Sequence, residues 1–340
     1  MKPSLARAVL PMVLLAGVTL SLDVYAGPSV WKRAQDPQIS VHNDQIREAQ
    51  KALVRYRRMR YGGDPQLPSL AELVLRDARR DLARIVQAGS VEFSVRLLYA
   101  QVLYESRAYD DAIVVLEKLL ADHPPAPVRA DALGDLAVLH AHAGRREQEI
   151  VAYTKALEIE PHSGARGRLL ANRAEALMAI GDITGSIEGY REALSSLTTL
   201  EMFLSGSTTL FGLGVALDRS GNPEAGMQAI DLARSYDPGD RGLRRPSWFF
   251  SPPHDGHWYW ALGAWTCARR SSGWAARSEC YERSLDEWQR YIDKAPDSDP
   301  WVSLARVRKQ IVMRERERFE KDFERQKKAA GLPSKGTPSP

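Results

Sequence analysis

Three stretches of this chain are variations on one amphipathic helix: YDDAIVVLEKLLADHP (Tyr109–Pro124), EQEIVAYTKALEIEP (Glu147–Pro161) and TGSIEGYREAL (Thr184–Leu194). A unit that returns along a chain constrains the fold more than any composition does. One helix hairpin cannot bury its apolar face alone. Stacked hairpins share a continuous core, and at least three are needed.

The copies can be set in register. The first, Phe93–Ala126, carries Tyr99, Ala100 and Leu103 on its first helix, Ala112 at the crossing and Pro124 as the stop. The second carries Leu133, Leu136, Ala137, Gly144, Tyr153, Ala156 and Pro161. The third, Gly167–Leu200, carries Leu170, Ala174, Leu177, Gly181, Tyr190 and Ala193, and the fourth, Ser207–Asp240, carries Leu210, Leu213, Gly214, Leu217, Gly221, Ile230, Ala233 and Pro238. This framework resembles the tetratricopeptide repeat, in which W-x₂-L-G-x₂-Y is followed by alanine, phenylalanine and proline over about 34 residues. The copies start at residues 93, 130, 167 and 207, so three to six residues are added between them. Other departures are Arg107 in place of a turn glycine, Glu149 in place of a small crossing residue, Arg173 in place of an apolar one and Thr198 in place of proline.

The resemblance implies an all-α fold, a right-handed superhelical solenoid of helix-turn-helix repeats spanning residues 90–240. It also implies a concave groove lined by the first helix of each pair: Leu97, Gln101, Tyr104, Val138, His142, Glu175, Met178, Phe211 and Val215. Family members that hold a terminal carboxylate use lysines, asparagines and an arginine there. Leu97, Gln101, Gly134, Val138, Ala171 and Glu175 stand at those places, so an apolar helix or an extended segment fits better. The alternative is that Met178 and Phe211 only pack against neighbouring repeats.

Outside the repeats, residues 1–26 read as an export signal. Lys2 and Arg7 precede an uncharged run from Ala8 to Leu22, and Val24–Ala26 offers small residues for cleavage. The run is shorter than a membrane span needs, with an uncleaved N-terminal anchor as the alternative. Export places the protein in the periplasm or outside the cell. Residues 27–42 read as a flexible linker and 43–89 as a helical pair, the second helix opened by a Ser69/Glu72 capping box. Residues 257–328 read as an atypical fifth repeat, with an extended connection between its helices, followed by a long terminal helix. Residues 329–340 read as a disordered tail. Cys267 and Cys280 flank the turn signal Ser271–Gly273. Two helices folding back there would bring them level, either as a disulfide or as a reduced core pair.

The most unusual stretch is the insert at 241–256, GDRGLRRPSWFFSPPHDGH with its flanks. It sets Arg244 and Arg245 beside Trp248, Phe249 and Phe250, residue types that dominate binding hot spots. It either contacts a partner or folds back on the solenoid. His254, Asp255 and His257 lie close together, but no further ligand cluster supports a metal site. There is no nucleophile elbow, phosphate loop or dinucleotide fingerprint, so no enzyme and no cofactor are expected. The 47 basic and 43 acidic residues are intermixed, which argues against nucleic acid as a partner. No membrane contact is expected beyond the N-terminal anchor. The sequence-based expectation is a non-catalytic scaffold of the cell envelope that binds a protein or peptide in assembly or secretion. A structural subunit of a larger envelope complex is the alternative, and an enzyme built on the insert is the remaining one.

Overall fold

Four hairpin turns of this chain close in the same way. Each first helix ends in a residue with left-handed backbone: Arg107 (φ 58°), Gly144 (70°), Gly181 (89°) and Gly221 (94°). At each turn two amides reach back to the helix end: Arg107 N to Tyr104 O and Ala108 N to Leu103 O in the first, Gly221 N to Asp218 O and Asn222 N to Leu217 O in the fourth. This pair of bonds satisfies carbonyls that the helix end leaves free. Glycine adopts the conformation without cost, whereas Arg107 carries a Cβ into it.

The computed structural model describes residues 37–61, 68–89, 92–159, 163–245 and 248–330, and among them every regular element is helical. The expected signal at 1–26 lies outside these residues. The chain divides into two units, Met1–Asp44 and Gln45–Pro340. The described part of the first is the opening of α1 (Pro37–Tyr61). That helix starts six residues before Asn43, so the expected linker at 27–42 is helical from Pro37. The second unit continues α1 and adds α2 (Pro68–Gln87). α2 begins at Pro68, whose fixed φ suits the first helical position, so the helix opens one residue before Ser69.

Four hairpins follow: α3 (Phe93–Glu105) with α4 (Tyr109–Ala121), α5 (Ala126–His142) with α6 (Arg146–Leu157), α7 (Ser163–Ala179) with α8 (Ile183–Ser195), and α10 (Ser207–Arg219) with α11 (Pro223–Tyr236). Between the third and fourth, α9 (Thr199–Glu201) is opened by a capping box of Thr198 and Glu201 and runs into a π-helical stretch, Met202–Gly206. The extra residues before the fourth copy form this stretch.

Small residues recur at fixed distances from each turn. Ala100, Ala137, Ala174 and Gly214 lie seven residues before it, and Ala112, Ser186 and Gly226 five residues after it. They are where the backbones of a pair approach. In the fourth hairpin a Cβ on Gly226 would lie 2.6 Å from the Gly214 carbonyl oxygen, so nothing larger than glycine fits. In the second hairpin Glu149 occupies this position and is buried.

A fifth hairpin pairs α12 (Asp255–Arg270) with α13 (Trp274–Lys294), and α14 (Val302–Ala329) packs on α13. The surplus residues of this copy lengthen the helices, and the connection Ser271–Gly273 is short. A disulfide joins Cys267 on α12 to Cys280 on α13, with Cα atoms 5.8 Å apart. Trp258, Tyr259, Trp265, Tyr281, Trp288 and Tyr291 fill this hairpin's core.

Buried ion pairs tie α14 and α12 to the fourth hairpin. Arg308 donates to the Asp218 carboxylate at 2.7 Å and to its carbonyl oxygen at 3.0 Å, and the Trp258 indole donates to the same carboxylate. Arg219 binds both oxygens of Asp255, at 2.7 and 3.3 Å, and lies over the Trp258 ring. No described helix is long and apolar enough to cross a membrane.

Candidate functional site

The site is built by both helices of the second and third hairpins, the start of α10, Tyr259 of α12 and the segment that links α11 to α12. That segment does not project into solvent. It leaves α11 at Asp237, whose carboxylate accepts from the Gly242 amide at 2.7 Å, and Leu243 is buried behind it. It then crosses the repeats as a strap. The Ser251 hydroxyl donates to the carbonyl of Ala141 at the end of α5 (3.1 Å), and Arg146 donates to the Ser251 hydroxyl.

Aromatic contacts seat the strap. Phe249 stacks on His142, with ring centroids 4.0 Å apart. On its other side His142 stacks on Tyr109 at 4.7 Å, and its Nε2 is 3.1 Å from the Tyr104 hydroxyl. Burial lowers the His142 pKa, so the neutral ring is favoured. Phe250 packs on Tyr259 and Trp260 of α12, Trp248 meets Phe250 edge to face, and Arg244 lies over the Trp260 ring. Arg245 is exposed. Of these residues Phe249 packs on a ring of the groove, while Trp248, Phe250 and Arg244 pack on one another and on α12.

Beneath the strap lies a cavity of about 290 Å³. Val138, Tyr153, Tyr190 and Tyr259 contribute to its walls, with Trp248 and Phe249 from the strap. Two carboxyl groups face it. Glu149, the residue that breaks the small-residue pattern, is held by Arg146 at 2.6 Å. Burial nonetheless raises its pKa. Glu175 on α7 is pushed up to about 8, first by burial and then by the negative charges of Glu149 and Asp255, with Arg146 and Arg219 opposing. The surface Glu175 retains faces the cavity.

The expected groove residues divide into two sets. Leu97, Gln101, Tyr104, Val138, His142 and Glu175 keep partial exposure along the inner face. Met178, Phe211 and Val215 do not line a groove. They are fully buried in the core shared with Trp258, Tyr259 and Trp265, because the bulky residues of α12 cover the inner side of the fourth hairpin. His254, Asp255 and His257 each have a separate partner: Asp299 at 2.7 Å, Arg219 at 2.7 Å and Glu287 at 2.6 Å. Among the described residues no group of three or more ligand side chains could hold a metal ion. His140 is buried, and its Nδ1 finds no described partner.

Repeated hairpins with a shared turn and a shared crossing position agree with a comparison against known families. The family model described as the tetratricopeptide repeat matches residues 75–127 and 100–164. Residues 75–164 carry tetratricopeptide repeats. The structure extends the repeat beyond the matched residues, through the fourth hairpin at 207–236. Among solved structures the chain is similar to MamA from AMB-1, at 16% identity with a TM-score of 0.41, covering 58% of this chain and 93% of that one. It is similar also to MamA from MSR-1, at 16% identity and 0.42, covering 58% and 98%. No curated protein matches. Solenoids of this repeat serve as protein–protein interaction scaffolds.

Proposed function

We propose that this protein is a non-catalytic scaffold of the cell envelope that holds an extended, aromatic-bearing segment of a partner protein along its inner face. One observation carries the reading: the groove already accommodates such a segment from its own chain, with Phe249 on His142 and Ser251 on the Ala141 carbonyl. Main-chain bonding plus pockets for alternate side chains is how extended peptides are held. The half-exposed stretch Leu97, Gln101 and Tyr104, continuous with the seat of the strap, is the proposed partner surface. Export rests on the N-terminal pattern of Lys2, Arg7 and the Ala8–Leu22 run, and a role in assembly or secretion rests on export.

A photoactivatable residue placed at Leu97 or Gln101 tests the groove, with Val114 on an outer helix as the control. Adducts with a discrete protein at the first two positions and not at Val114 are expected. Equal labelling at all three would contradict the reading. N-terminal sequencing of the mature protein tests export, and a start at Met1 speaks against cleavage.

A further inference from the structure

The cavity under the strap carries more polar chemistry than an apolar segment needs. Glu149 is neutralised by Arg146, but Glu175 has no ion pair among the described residues. Arg168 and Arg245 line the same cavity, are exposed, and likewise form no described ion pair; Arg168 also faces Asp135 in the adjoining hollow. The Trp248 indole N–H is buried in the strap wall without a hydrogen-bond partner. Carboxyl groups, aromatic rings and exposed guanidinium groups thus line one cavity. The volume, about 290 Å³, is at the small end for ligand pockets.

We propose that this cavity binds a free amino acid, its ammonium group beside Glu175 and its carboxylate toward Arg168, Arg245 and the Trp248 N–H. Aromatic rings favour the cation, and charge-assisted bonds to guanidinium favour the anion. With the site empty, Glu175, facing Glu149 and Asp255 against Arg146 and Arg219, keeps its proton at neutral pH. When the ammonium arrives, the carboxyl ionises and its proton passes to the buffer. The site is distinct from the partner surface at Leu97 and Gln101, so the two readings stand or fall separately.

The test uses the full purified chain. Thermal shift against the twenty proteinogenic L-amino acids at millimolar concentration comes first. The best probe is then compared with its decarboxylated and deaminated analogues. At least one amino acid should raise the melting temperature while both analogues fail. Calorimetry in buffers of different ionisation enthalpy should show proton release on binding. Glu175→Gln should weaken binding about tenfold and abolish the proton release, and Arg245→Gln, on the exposed strap, should weaken it by a similar factor. The proposal is overturned if no amino acid shifts the melting temperature, if an analogue lacking either charge binds as well, or if Arg245→Gln and Glu175→Gln leave affinity unchanged.

Discussion

Phe249 lies against His142 with ring centroids 4.0 Å apart and planes 25° from parallel, although one belongs to the strap and the other to the end of α5. His142 is thereby held between Phe249 and Tyr109. The groove of a repeat solenoid is a surface waiting for a segment, and here the chain supplies one.

Replacing Phe249 with alanine removes the ring that seats the strap. Pairs of this kind contribute about 0.5–1.5 kcal/mol beyond their buried area. Arg241 and Arg244 are exposed trypsin sites on the same segment. Phe249→Ala should therefore be cut there several times faster than the wild type, and lose about 1 kcal/mol of global stability. An unchanged cleavage rate would mean that the strap is held by other contacts.

Arg107 adopts a left-handed backbone that glycine adopts in the next three turns. Its side chain is exposed, so little is lost by removing it. Arg107→Gly should raise stability by about 0.5–1 kcal/mol in urea denaturation, the relief of the Cβ clash exceeding the entropy that glycine adds to the unfolded chain.

Arg308 carries the single described ion pair to Asp218, and both side chains are buried. Arg308→Ala would leave a carboxylate in the core and should cost about 3 kcal/mol. The double replacement of Arg308 by methionine and Asp218 by asparagine should cost less than that. If Arg308→Ala proves neutral, α14 does not clamp the fourth hairpin.

Glu175 makes stability depend on pH with a stated sign. Its folded pKa, about 8, lies above its ordinary value of 4.5. Protonation is therefore favoured by folding, and this contribution is complete below about pH 4.5 and lost as pH rises through 8. Glu175→Gln should match the wild type at pH 4.5 and exceed it at pH 8.5 by on the order of 4 kcal/mol. A difference that stays constant across this range would contradict the burial of the carboxyl.

Local patterns made the hairpins legible. Turn glycines, small crossing residues and proline stops are all decided within one repeat, and Glu149 stands out as a departure that the structure places in the cavity wall. The strap was not legible in this way. Its partners, His142, Ala141 and Arg146, lie a hundred residues earlier, and neither periodicity nor composition encodes that distance. Met178, Phe211 and Val215 hold groove positions by register, but register carries no information about α12, whose tryptophans cover them. The length of α13 was available in the sequence: helical periodicity runs without a break from Trp274 to Lys294, so the surplus residues belonged to the helix and not to a loop.

The seating of the strap in the groove is the claim on which the site depends. A double-mutant cycle on His142→Ala and Phe249→Ala, read by chemical denaturation at pH 7.5, measures it most directly. The account predicts a coupling of about 1 kcal/mol between the two positions. Additivity within about 0.3 kcal/mol would contradict it.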